Sequence, residues 1–459
     1  MNKKYLQIKR LVVLCFLVAP VFIFMPVRAQ KDDAASKQHS LLGQRASGAV
    51  QFQSKPNIHP AAQWFPKAGF GLFVHLGIAA VHGGIDLSWP MLANKGWEDA
   101  TITPHDYWAL ADRWNPKKFR PDVWVKQAKR AGFRYIVLVT KHHDGYTMWP
   151  SEYGTLGVKQ KLGGRDLVRE FVDACRKYDM RIGLYYSPPD WYFDAPYRNW
   201  DASGRSILDT CHKQVKTLPK KPAGHDEKRK EMVRNQVREL LTDYGKIDIM
   251  WFDGGHGEIS NDEVRRLQPG IIVNRRNGEL GDFGDSEGVL PTKRFTGWFE
   301  CNDPCWPSRW WGYSTCDRMD TGNDVIEKLV LMRAWGGNYL ANVGPCGDGS
   351  MPEEAILAWK EIGEWMKHSG ESVYDITGGT FPEKANLPVT LKGDSIMYLH
   401  AFPGYHMELM VRDVKRKPVK AILLRTGEEL PLEYENGTLK VYIPPYKRTR
   451  QVDTVKVYF

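Results

Sequence analysis

Cysteine is scarce in this chain, with 7 among 459 residues. Leaving aside Cys15 in the N-terminal apolar run, Cys175, Cys211, Cys301, Cys305, Cys316 and Cys346 are too few for a disulfide framework and serve at most as optional staples. The set Cys301, Cys305 and Cys316 lacks the paired short loops of zinc modules. Long apolar runs are also missing, so a multi-span membrane protein is excluded. The net charge of +10 sits largely at the two ends of the chain, and no basic helix interleaved with aromatics occurs, which argues against nucleic acid as a partner. No Gly-x-Gly-x-x-Gly follows the first predicted strand, as a dinucleotide fold would need. A metal-dependent barrel hydrolase would need His-x-His there, and the chain has His75-Leu76-Gly77. No metal or cofactor is expected.

The first thirty residues read as an export signal. Lys3, Lys4, Lys9 and Arg10 precede the apolar run 11–25, which contains Pro20, and Val27-Arg28-Ala29 supplies a small-residue cleavage pattern. The expected organisation is a signal peptide over 1–29, a polar linker over 30–55, a catalytic barrel over 56–372 and a β-sandwich over 373–459. The mature protein is expected to be periplasmic or secreted, without stable membrane insertion.

What the chain has in plenty is aromatic residues, 17 Trp, 20 Tyr and 18 Phe, within an ordinary globular composition of 42% hydrophobic and 26% charged residues. Short apolar runs recur at 70–74, 135–140, 182–186, 247–252, 271–273 and 339–343, the pattern of strands buried on both faces. Helix-like segments at 121–131, 166–178, 227–244 and 325–335 lie between them. This alternation predicts a (β/α)8-like TIM barrel. After residue 372 alternating runs punctuated by Gly393-Asp394 and Asn436-Gly437 predict an antiparallel β-sandwich of seven or eight strands.

Barrel enzymes assemble their sites at the carboxyl ends of the strands. Those ends carry His75, Lys141-His142-His143-Asp144, Tyr185-Tyr186-Ser187, Trp251-Phe252-Asp253 and Asn274-Arg275-Arg276, with Glu287 and Glu300 expected in the loops that follow. Carboxylates among His, Tyr, Arg and Trp suit a sugar pocket, because hydroxyls need fixed donors and acceptors while an apolar sugar face rests on a ring. Side-chain alternation makes Tyr185 a packing residue in this reading and would turn His142 and His143 to opposite faces.

The segments Gly69-Phe-Gly-Leu-Phe-Val-His-Leu-Gly, Lys141-His-His-Asp-Gly-Tyr, Gly183-Leu-Tyr-Tyr-Ser, Trp251-Phe-Asp-Gly, Asp282-Phe-Gly-Asp-Ser-Glu, Trp311-Gly-Tyr and Asn342-Val-Gly-Pro-Cys-Gly-Asp-Gly resemble, in order and spacing, the motifs of the family 29 α-L-fucosidases. The resemblance implies an exo-acting, retaining glycoside hydrolase on a barrel with a C-terminal sandwich. Asp253 matches the family nucleophile. For the acid/base, Glu287 is preferred and Glu300 is the alternative, since the inserted Phe299 disturbs the Trp-Glu motif. His75, His142, His143, Tyr186, Trp251 and Arg276 match sugar-binding positions, and Trp89 is a candidate ring under the sugar methyl. The implied partner is a terminal α-L-fucosyl glycan. Departures at Leu76 and across Gly83 to Trp97, where the family loop supplies a further glutamate, keep an α-L-galactosyl substrate open. A barrel that binds glycans without cleaving them is disfavoured by the presence of all three carboxylates.

Overall fold

The computed structural model describes residues 54–96, 101–290, 295–306, 308–315, 317–404 and 408–459. The expected signal peptide and nearly all of the expected linker lie outside the described residues. No helix among those described is long and apolar enough to cross a membrane.

Among the described residues, eight parallel strands form the first sheet: β1 Phe70–Val74, β2 Tyr135–Lys141, β3 Arg181–Tyr186, β4 Ile249–Phe252, β5 Ile272–Val273, β6 Gly284–Glu287, β7 Phe299–Asp303 and β8 Asn338–Val343. Their order is β5-β4-β3-β2-β1-β8-β7-β6. The two edge strands meet at one parallel bridge, Asn274 to Phe283. Asp282 secures this seam: its N–H donates to the Val273 carbonyl at 2.7 Å, and its carboxylate accepts from the Val273 N–H at 2.7 Å. The sheet is therefore a TIM-like barrel closed by a narrow seam.

Side chains alternate across each strand. Phe73, Tyr135, Val137, Val139, Tyr185, Ile249, Trp251, Ile272, Phe283 and Leu340 share the inner core. The intervening residues, such as Leu72, Leu138, Leu184, Met250 and Val343, join the larger core beneath the helices.

The helices begin and end where local chemistry dictates. Pro121–Ala131 opens on proline and stops at Gly132, whose φ of 98° is left-handed. Leu167–Lys177 is capped by Asp166, and Gly322–Ala334 by a Thr321/Asp324 capping box. Two expectations are corrected here. The segments around Glu287 and Glu300 are strands β6 and β7, not loops. In addition, no α-helix is found among the described residues between β5 and β7; after β5 the chain makes only the 3-10 turn Arg275–Asn277.

Beyond the helix Glu353–Ser369, nine antiparallel strands among the described residues between Thr377 and Tyr458 form a six-stranded and a three-stranded sheet. They enclose their own apolar core, including Leu387, Leu399, Val411, Leu423, Val441 and Val455. Asn436 and Gly437, at φ 48° and 77°, make the two-residue turn that the sequence predicts. The sandwich is tied to the preceding helix by Trp365 Nε1, which donates to the Val452 carbonyl at 2.8 Å.

Candidate active site

The C-terminal ends of the barrel strands converge on one pocket. It is lined by Phe73, His75, Leu87, Trp89, His142, His143, Tyr185, Trp251, Asp253, Arg276, Glu287, Asn302 and Trp311. Every strand from β1 to β7 contributes, directly or by the turn that follows it.

Asp253 directly follows β4, and its N–H continues the ladder to the Tyr186 carbonyl at 3.1 Å. Its Oδ2 accepts from the Tyr185 hydroxyl at 2.8 Å and lies 3.6 Å from His143 Nε2. Its Oδ1 lies 3.3 Å from Arg276 Nη1, and that same nitrogen donates to Glu287 Oε2 at 2.6 Å. These two oxygens can be no farther apart than the two bonds laid end to end.

Arg276 is itself immobilised. Its Nε donates to Asp285 at 2.7 Å, its Nη2 also bonds Asp285, and its guanidinium lies 4.7 Å over the Trp251 ring. Burial opposes its charge, but Asp285, Glu287 and Asp253 outweigh that and hold it cationic. Burial likewise opposes the Asp285 anion, yet Arg276 and Arg275 bring its carboxyl down to about 2.

Burial keeps His75 and His142 neutral, and hydrogen bonds orient all three pocket histidines. His75 Nδ1 is 2.6 Å from Asn342 Oδ1, and Asn342 Nδ2 donates to the Trp311 carbonyl at 2.8 Å. Since Asn342 Oδ1 only accepts, His75 must carry its proton on Nδ1, which leaves Nε2 as an acceptor. Burial lowers His75 to about 4, against the Asn342 bond and the Asp253 charge. His142 bonds Ser88 Oγ at 2.8 Å and is lowered well below the usual range, first by burial and then by the neighbouring His143. His143 Nδ1 pairs with Ser187 Oγ at 2.5 Å. Strand β2 ends at Lys141, so the alternation that would separate His142 from His143 no longer applies, and both reach the pocket.

Three expectations are corrected. Tyr186 does not face the pocket: it is fully buried on the outer face of β3, where its hydroxyl donates to Gln236 Oε1 at 2.7 Å. Tyr185, one residue earlier, points inward, because Leu184 and Tyr186 together face the helices. Glu300 does not line the pocket either. It is 0% exposed, accepts from Tyr135 OH at 2.5 Å and from Trp251 Nε1 at 3.1 Å, and is pushed up to about 7 by burial. Glu287, by contrast, keeps 19% of its side chain exposed.

The described part of the loop over Gly83 to Trp97, residues 83–96, is anchored by Asp86, whose Oδ1 accepts from the N–H groups of Trp311 at 2.8 Å and Gly312 at 3.0 Å. It presents Leu87, at a left-handed φ of 49°, and Trp89 to the pocket. The ring of Trp89 meets His143 edge-on at 5.1 Å. Residues that motif reading missed are Tyr185, Asp285, Asn302, Asn342 and Ser88. Parity with Glu287 and Glu300, two residues away on the same strands, is the signal that finds Asp285 and Asn302; Tyr185 is settled only by the tertiary structure.

Donor atoms of His142, His143 and Asp253 lie within 4.8 Å of one another, as do those of Asp303, Cys305 and Asp320. The first set is already engaged by Ser88, Ser187, Tyr185 and Arg276. In the second, Lys328 Nζ supplies the cation at 2.7 Å from Asp303 and 2.6 Å from Asp320.

A TIM-like barrel with paired carboxylates and sugar-compatible rings at its C-terminal end defines a glycoside hydrolase. Residues 39–371 match the family model "Alpha-L-fucosidase", and the chain belongs to that family. It is 30% identical to the tissue α-L-fucosidase of Mus musculus over 359 residues, covering 69% of this chain and 72% of that one. With the enzyme of Bos taurus it shares 28% identity over 433 residues, covering 84% and 85%. Among solved structures, α-L-fucosidase isoenzyme 1 from Paenibacillus thiaminolyticus superposes with a TM-score of 0.74 at 26% identity, covering 87% of this chain and 98% of that one. A family 29 enzyme from Bacteroides thetaiotaomicron, trapped as a covalent intermediate with 2-fluoro-fucosyl fluoride in a glutamate-to-glutamine mutant, gives 0.73 at 26% identity, covering 90% and 98%.

Proposed function

We propose that this chain removes terminal α-L-fucose from glycans with retention of configuration, using Asp253 as nucleophile and Glu287 as acid/base. The observation that carries the reading is that one nitrogen of Arg276 holds both carboxylates, at 3.3 and 2.6 Å. Inverting enzymes keep their carboxyls about 6.5 to 9.5 Å apart to admit a water, and retaining ones about 5 to 5.5 Å. Two oxygens on one nitrogen belong to the close-set class.

In the first step Glu287 gives its proton to the glycosidic oxygen as Asp253 attacks the anomeric carbon. The bond to the leaving sugar breaks and an ester to Asp253 forms. In the second step Glu287, now a carboxylate, takes a proton from water, which attacks the same carbon and frees Asp253. Arg276 and the Tyr185 hydroxyl hold the Asp253 carboxylate oxygens in place for attack. Neutral His75 offers Nε2 as a hydrogen-bond acceptor to a sugar hydroxyl. The small-residue cleavage pattern at Val27 to Ala29 supports export, so the substrate would be met outside the cytoplasm.

The trapped covalent intermediate of the Bacteroides enzyme supports the two-step route. The α-L-galactosyl alternative finds no support among the relatives and structures named above, all of which are fucosidases. The test is hydrolysis of an aryl α-L-fucoside followed by NMR. The expected first product is α-L-fucose, and β-L-fucose as the first product would overturn the retaining mechanism.

A further inference from the structure

We infer that Asn302 is a substrate-contacting residue: its side-chain amide, whose oxygen is sealed in the unliganded pocket wall, turns to accept a hydrogen bond from a ring hydroxyl of the terminal sugar. It lies on β7, directly opposite Glu287 of β6 in the register. Strand parity turns it inward with Glu300, while Cys301 and Asp303 face the helices. Asn302 is 1% exposed and lines the pocket. Its Oδ1 accepts no hydrogen bond from any described residue.

A buried amide oxygen without a donor destabilises the free protein, and folded chains rarely keep one without a reason. Of the buried side-chain atoms in that condition among the described residues, Asn302 Oδ1 is the one that belongs to a pocket-lining residue. Its polar neighbours are already committed. Asn342 on β8 is spent on His75 and the Trp311 carbonyl, and Glu287 on Arg276.

Depth decides which sugar Asn302 meets. An exo-acting enzyme buries the terminal sugar and leaves the leaving group at the mouth, where Glu287, 19% exposed, must reach the glycosidic oxygen. Asn302, on the neighbouring strand and nearly without exposure, faces the buried unit. Hydroxyls are the donors that unit offers, and they match an unpaired carbonyl oxygen. The contact forms only with substrate, so it adds to specificity: a site built to hydrogen-bond a hydroxyl strongly rejects an analogue that lacks it.

This inference rests on the fucosidase reading above, and one experiment separates the two. Wild type, Asn302→Leu and Asn302→Ala are assayed on an aryl α-L-fucoside and on its analogues, each lacking one ring hydroxyl. Both variants should lose about 10- to 100-fold in kcat/KM on the parent substrate. On one deoxy analogue, variant and wild type should run at the same rate, because the partner hydroxyl is already gone. The unliganded Asn302→Leu protein should melt at the wild-type temperature or above. No loss on the parent, an equal loss on every analogue, or a melting temperature lowered by several degrees would each overturn the contact. A wild type inactive on the parent fucoside would instead defeat the fucosidase reading.

Discussion

Glu287 and Glu300 stand on adjacent strands of the same barrel, one at its rim and one in its floor. The rim glutamate keeps part of its carboxyl open to the pocket and is held by a cation, Arg276. The floor glutamate is sealed, holds two neutral donors, Tyr135 and Trp251, and is pushed up to about 7 by burial. A raised pKa in a catalytic barrel suggests a general acid, yet Glu300 has no path to the glycosidic oxygen. Reach comes first and protonation second. Glu300 instead braces Trp251, whose face carries Arg276, so the floor positions the rim.

The largest expected effects test the rim. Asp253→Ala should lower kcat by about 10⁴-fold or more on every fucoside, since the covalent route is lost. Residual activity within tenfold of wild type would remove Asp253 from the mechanism. Glu287→Gln should cost about 10²- to 10⁴-fold on glycans with poor leaving groups and far less on an activated aryl fucoside, where departure needs no proton. If Glu300→Gln shows that leaving-group dependence and Glu287→Gln does not, the roles of rim and floor are exchanged.

The floor is probed through stability. Glu300→Leu leaves the Tyr135 hydroxyl and Trp251 N–H buried without an acceptor, an expected loss of roughly 2 to 5 kcal/mol in denaturant unfolding. The pH dependence has a definite sign. Between about pH 4.5, the ordinary glutamate value, and about 7, the folded chain keeps the Glu300 proton while the unfolded chain has lost it. Stability therefore falls as pH rises through that window, by of order 3 kcal/mol from this group. His75, lowered to about 4, acts in the opposite sense: its unfolded form gains a proton below 6.5, so stability rises with pH between about 4 and 6.5. Comparing wild type with Glu300→Gln isolates the glutamate, and identical pH slopes would show that Glu300 does not titrate as described.

The smallest effects separate the adjacent tyrosines. Tyr185→Phe removes a donor from Asp253 and should lower kcat/KM about tenfold with little change in stability. Tyr186→Phe should do the reverse, costing about 1 kcal/mol at Gln236 and leaving kinetics unchanged.

The legibility of this chain follows the same division. Strands β1 to β4 and β8 are apolar through most of their length, and their runs are visible in the sequence because both faces are buried in hydrocarbon. β6, Gly-Asp-Ser-Glu, and β7, Phe-Glu-Cys-Asn-Asp, have no such run, since their inward positions carry Asp285, Glu287, Glu300 and Asn302. The residues that make the site are the ones that hide the strands bearing them. Tyr185 and Tyr186 were misassigned for a related reason: parity depends on which neighbours share the helix-facing side, and an apolar run does not mark that side.

The sequence by itself determined the barrel and sandwich, the family, and the candidates Asp253, Glu287 and Arg276, because hydrophobic period, turn chemistry and motif spacing are local properties. The tertiary structure alone decided that Glu300 is sealed, that Tyr185 and not Tyr186 meets Asp253, and that Arg276 holds both carboxylates on one nitrogen. Those outcomes depend on the register between strands far apart in the chain and on what burial leaves within reach.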